Sequence, residues 1–216
     1  MSMMSRRQLL TASVLVPAAG ALAAYSTAPA QPSFAPPLPG REVVRKRFFP
    51  NVVLTTHEGK RVRFYDDLLK DKIVVLSLMY ARCEGVCPLI TTNLKKARNL
   101  LSEEVRAQVH FYSLTVKPHE DTPGKLREYA EMHGTGPGWL FLTGSPEDVE
   151  LLRHKLGYVD IDPEVDKDKT RHSGMVRFGN EPLALWAACQ GEARPEWLAR
   201  EIGFVIPKTV VKPLST

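Results

Sequence analysis

A chain of 216 residues, 44% of them hydrophobic, is long enough to bury the core of one ordinary domain with extensions at its ends. Its formal charge of +5 is too small to mark a nucleic-acid surface, and no lysine-arginine run is interleaved with aromatic residues.

The first thirty residues read as an export signal. Ser5-Arg6-Arg7-Gln8-Leu9-Leu10 leads into a mildly apolar run to Ala24, and small residues follow. The paired arginines point to the twin-arginine type. The run is short for a bilayer span and carries Pro17 and Gly20, which favours cleavage; left uncut, it would tether the protein. Cutting after residue 30 removes two arginines and no acid, so the charge falls from +5 to +3. Such a protein is expected in the periplasm, soluble or tethered at the inner membrane, where disulfides persist. Residues 31–43 read as a proline-rich linker, 44–205 as the domain and 206–216 as a tail.

Within the domain, Val52 to Thr55 and Arg61 to Phe64 flank a glycine-containing turn and predict a hairpin. Ile73 to Met79 is the most apolar run and predicts a buried strand. The residues from Leu89 to Leu101 place apolar side chains three and four apart, the helical period. Gln108 to Val116 alternates as a second core strand. Asp121 or Thr122 then caps a helix with Pro123 at its first position. Trp139 to Thr143 predicts a strand, Ser145 a second capped helix to about Leu156, and Asp160 to Lys169 a surface loop. His172 to Phe178 and Leu183 to Ala187 predict a hairpin across Gly179-Asn180-Glu181-Pro182, and Pro195 to Ile202 a last amphipathic helix. This is an α/β pattern with a mostly parallel central sheet, an antiparallel edge hairpin and flanking helices.

Two thiols stand out, in Tyr80-Ala81-Arg82-Cys83-Glu84-Gly85-Val86-Cys87-Pro88. They fall on a turn between the buried strand and a helix N-terminus, at the carboxyl edge of the sheet where α/β folds place their sites. Free N–H groups and the helix dipole favour a thiolate there, so the pKa of Cys87 is expected to fall. The two sulfurs are placed to bond to each other or to hold one soft metal ion; two packed core cysteines are the plainer alternative. Cys189, after Leu185-Trp186-Ala187-Ala188, reads as a packed residue at a strand end.

The chain resembles the SCO/SenC family of thioredoxin-fold copper chaperones. The likeness rests on Cys83-x-x-x-Cys87-Pro88 after its strand, on Asp121-Thr122-Pro123, on Leu142-Thr143-Gly144-Ser145-Pro146-Glu147 and on His172-Ser173. The resemblance implies a thioredoxin-like fold and a copper site built from Cys83, Cys87 and His172. Donor softness agrees: two thiolates and an imidazole suit Cu(I), with Cu(II) as a second state. It also implies delivery to a cytochrome c oxidase subunit carrying a copper centre, which makes the protein a binding protein rather than an enzyme. The alternative is a thiol–disulfide oxidoreductase using Cys83 and Cys87 as its redox-active pair on the oxidase's cysteines or other exported thiols. Where the family carries an acidic residue this chain has Lys117. A cation near the sulfurs would disfavour Cu(II) more than Cu(I), with Glu84 as a partial offset.

Overall fold

The computed structural model describes residues 39–168 and 174–207. Helix α1 (Pro39–Phe48) leads into the hairpin β1 (Val53–Thr56) and β2 (Arg61–Arg63), then a π-helical stretch over Phe64–Leu69. β3 (Ile73–Met79) is followed by α2 (Val86–Leu100), the short α3 (Glu103–Arg106) and β4 (Val109–Thr115). Next come α4 (Pro123–His133), β5 (Trp139–Gly144), α5 (Pro146–Lys155) and the short α6 (Pro163–Lys167). β6 (Met175–Asn180), β7 (Leu185–Gln190) and α7 (Pro195–Phe204) complete the described elements.

All seven strands join one sheet in the order β2-β1-β5-β4-β3-β6-β7. The central trio β5, β4 and β3 runs parallel, and the remaining pairings are antiparallel. The α/β architecture follows the residue pattern, with an antiparallel hairpin on each flank of the parallel centre. Every residue of β3 is buried because helices cover both faces. Ile73, Val75 and Met79 join the core beneath α2, α4 and α7. Val74, Leu76 and Leu78 join the core under α5 and the π-helical stretch. That two-sided burial is why β3 reads as a nearly continuous apolar run rather than an alternating one. The one polar residue of β3, Ser77, faces its register partner Ser113 with the hydroxyls 2.9 Å apart. Trp139 Nε1 donates to Ser113 Oγ at 2.9 Å, so this buried polar group is satisfied.

Three local readings change. Helix α1 begins at Pro39, inside the stretch that reads as linker. Arg41 on it donates to the Glu181 carboxylate through Nε at 2.8 Å and Nη2 at 2.6 Å, so a distant partner holds a helix with a glycine at its second position. The expected loop from Asp160 contains α6, capped by the Asp162 side chain accepting from Glu164 N–H. The late hairpin turns two residues further on than its glycine suggests: Gly179 and Asn180 pair with Trp186 and Leu185. Gly179 is in the strand because the Trp186 ring lies on it, and a Cβ there would meet Trp186 Cε3 at 2.2 Å. Among the described residues no helix is long and apolar enough to cross a membrane.

Candidate metal centre

The thiol turn occupies the carboxyl end of β3, where the parallel strands deliver their loops. Its backbone is held from two sides. Cys83 N–H donates to Tyr80 O at 3.2 Å, and Ala81 N–H donates to Asp121 Oδ2 at 3.1 Å. Asp121 is 2% exposed and also accepts from Thr115 Oγ1 at 2.5 Å; Thr115 Oγ1 in turn accepts from Lys117 N–H at 2.9 Å. One buried carboxylate thus ties the thiol turn to the end of the neighbouring strand. The sequence reading leaves Asp121 as one of two cap candidates. The structure uses Thr122 for the cap, and that redundancy was the signal that Asp121 had another task.

Both cysteines are free and buried, Cys83 8% and Cys87 1% exposed. Gly85 lies against Cys83, and a Cβ there would sit 3.9 Å from its Sγ, ordinary contact. Their acidities diverge. Burial pushes the Cys83 thiol up, but the Cys87 thiol, the backbone N–H groups of Cys87 and Gly85 and the Tyr80 hydroxyl all hydrogen-bond its sulfur, and the balance falls below the ordinary thiol value. Burial pushes Cys87 well above that value, and its hydrogen bond to Cys83 adds to the rise. The expectation that Cys87 becomes the thiolate is therefore corrected. The helix N-terminal N–H groups aim at the sulfur of Cys83, while Cys87 points into the core beneath the helix. Both sulfurs nonetheless share one spot, as the mutual hydrogen bond requires.

Lys117 is near the site but reaches the ring of Tyr80 first. Its Nζ stands 4.5 Å from that ring's centroid and 3.6 Å from Glu120 Oε1. Glu84 is exposed on the turn and forms no ion pair among the described residues. Cys189 is half-buried in β7, its thiol pushed up to about 11 mainly by burial. His172 lies outside the described residues. The flanking described positions are Asp168, which acts electrostatically on Tyr80, and Gly174, where a Cβ would meet Ile90 Cδ1 of α2 at 3.2 Å.

Among the described residues one group of metal-ligand type gathers elsewhere: Glu150, His154 and Asp166, with ligand atoms within 4.8 Å of one another. Arg153 already bridges its two carboxylates, at 2.7 Å to Glu150 and 2.5 Å to Asp166, so the group is an ion-pair network. The donor set that suits a soft ion is the sulfur pair. Its two thiols are adjacent, so deprotonation would leave two thiolates on one ion.

Comparison with known proteins places these features in context. A family model described as SCO1/SenC matches residues 42–204. Protein SenC of Rhodobacter capsulatus is 25% identical over 152 residues, which cover 69% of this chain and 66% of that protein. The chain spans between 53% and 66% of the length of the curated relatives it matches. Copper-bound ScoI of Bradyrhizobium japonicum superposes with a TM-score of 0.58 at 22% identity, covering 71% of this chain and 96% of that one. BsSco, described as having a disulfide switch and as a member of the Sco family of cytochrome c oxidase assembly proteins, gives 0.56 at 19% identity, covering 71% and 90%. These structures share the fold.

Proposed function

The chain belongs to the SCO1/SenC family, and from that premise we propose that it is an exported metallochaperone that binds copper and passes it to a copper centre of cytochrome c oxidase. Cys83, Cys87 and His172 are its ligands in this reading. The observation that carries it is the sulfur pair: two cysteines in mutual hydrogen-bond contact at a helix N-terminus, with no third sulfur or carboxylate gathered around them among the described residues. A closed structural zinc site needs four ligands, whereas Cu(I) accepts two thiolates and an imidazole. His172 enters as the third donor through the histidine-serine position the chain shares with the family, an imidazole completing a donor set that suits Cu(I). Few ligands and an exposed Gly85 beside Cys83 suit release by ligand exchange. The twin-arginine-like leader supports a periplasmic setting for this chemistry.

The test is titration of the reduced protein with Cu(I) against a competing chelator. Wild type binds one equivalent, and His172→Ala and Cys83→Ser each weaken binding by at least about a hundredfold. Unchanged binding in either variant refutes the ligand set. A second reading is favoured by the same hydrogen bond. Cys83 as thiolate attacks a partner disulfide and expels one partner thiol. Cys87 then displaces the other, and the two electrons leave Cys83–Cys87 as a disulfide. Reduction of a copper-free oxidase fragment that survives His172→Ala supports that reading over the first.

A further inference from the structure

Lys117 and the sulfur of Cys83 are linked through the side chain of Tyr80. Its backbone is fixed on both sides, by Cys83 N–H on its carbonyl and by Asp121 on the next amide. Its ring packs partly buried against both hydrophobic cores, which leaves the hydroxyl to reach the Cys83 sulfur, to which it donates. On the ring sits the Lys117 ammonium, 4.5 Å from the centroid, with its side chain 26% exposed. Lys117 is itself held there: its N–H donates to Thr115 Oγ1, and its carbonyl accepts the Glu120 and Asp121 N–H groups, each at 2.9 Å. Cation, ring, hydroxyl and sulfur therefore form one chain of contacts leading into the thiol pair.

We propose that Tyr80, with Lys117 stacked on it, is a positioning residue that limits how much electron density the Cys83 sulfur gives to bound copper, and so favours Cu(I) cargo over Cu(II). The proposal rests on the copper-binding reading above and moves the effect expected of Lys117 onto the phenol between them. A cation against a phenol ring draws electrons from it and makes its O–H a stronger donor. A hydrogen bond to a thiolate competes with the metal for the same sulfur electrons. Cu(II) depends on that donation more than Cu(I) does, which is why hydrogen bonding at a cysteine ligand tunes copper potentials. Glu120, 3.6 Å from the ammonium and 52% exposed, screens Lys117 only weakly.

Tyr80→Phe keeps the ring and its cation and removes only the hydroxyl. Affinities for Cu(I) and Cu(II) are measured by chelator competition, and the sulfur-to-Cu(II) charge-transfer absorption is recorded. Tyr80→Phe is expected to shift the balance toward Cu(II) by about tenfold and to move the absorption band. Lys117→Met shifts both in the same direction by less, and adds little once the hydroxyl is gone. The proposal fails if Tyr80→Phe leaves the ratio and the band unchanged. It fails equally if Lys117→Met acts as strongly in the Tyr80→Phe background as alone, since the cation would then act without the phenol. A metal-free arm separates this idea from the copper reading. In a Cys87→Ser background, alkylation of Cys83 is timed at a pH above its own transition and below that of Tyr80, which burial and then the Cys83 contact push up to about 12. Loss of the hydroxyl speeds alkylation several-fold if the hydrogen bond restrains the sulfur, and leaves it unchanged if it does not. Faster alkylation in a protein that binds no copper retains the hydrogen bond and refutes the copper reading. Copper binding with neither alkylation nor ratio altered does the reverse.

Discussion

Replacing Asp121 by alanine should loosen the thiol turn at a cost that can be worked from its contacts. The carboxylate, 2% exposed, accepts from Thr115 Oγ1 and from Ala81 N–H. Hydrogen bonds to a charged group contribute about 1.5–3 kcal/mol each, but the two are not lost equally. Thr115 is fully buried and has no water to turn to, whereas Ala81 is only partly buried and its amide can be solvated. Removing a buried carboxylate also relieves its desolvation. The net destabilisation of Asp121→Ala is therefore about 2 kcal/mol, and that of Asp121→Asn about 1 kcal/mol, because the amide keeps one acceptor. Urea unfolding of the reduced full chain measures both. Hydrogen exchange at the Ala81 amide reads the local part and should quicken in the alanine variant more than at amides of β3. A change below about 0.5 kcal/mol in Asp121→Ala, with Ala81 exchange as in wild type, would refute the claim that this carboxylate anchors the turn.

Two predictions test the frame around the site. The Glu181 carboxylate is buried, which raises its pKa, but hydrogen bonds from Arg41, the Asp71 N–H and the Tyr65 hydroxyl outweigh burial and hold it below the ordinary carboxyl value. A depressed folded pKa contributes stability that is complete above the unfolded carboxyl pKa and is lost as pH falls through the folded one. Glu181→Gln should accordingly flatten the acid side of the profile of melting temperature against pH, and Glu181→Ala should cost about 3 kcal/mol at neutral pH by leaving the Tyr65 hydroxyl and the Asp71 N–H without their acceptor, while Arg41 keeps its ion pair with Asp71. Gly179→Ala should cost about 1–3 kcal/mol by overpacking, because its Cβ would fall 2.2 Å from Trp186 Cε3. A loss of near-ultraviolet circular dichroism from displaced Trp186 would accompany it, and unchanged stability would mean that the late hairpin is free to move off the ring.

Local signals carried most of the architecture. The 3.6-residue period after Cys87, the Thr122-Pro123 and Ser145-Pro146 caps and the largely apolar β3 are short-range facts, and each element lies where they point. Where they failed, a distant partner had taken over. Gly179-Asn180-Glu181-Pro182 has the composition of a turn, yet Trp186 presses Gly179 into the strand and Glu181 is drawn to Arg41, 140 residues away. Helix α1 has too few periodic apolar residues to announce itself, and that same ion pair helps hold it.

The amino-acid sequence by itself determined that two cysteines share a strand-to-helix turn, because spacing and backbone preference are local. It could not determine which sulfur takes the charge. That depends on where the N–H groups of Gly85 and Cys87 and the hydroxyl of Tyr80 point once the chain is folded, and on how deeply the helix drives Cys87 into the core. Nor could it reveal that Asp121 braces Ala81 or that Lys117 meets Tyr80 before any sulfur. Hydrogen bonds and cation–ring contacts act over a few ångströms, and only the packed sheet brings residues some forty positions apart to that range.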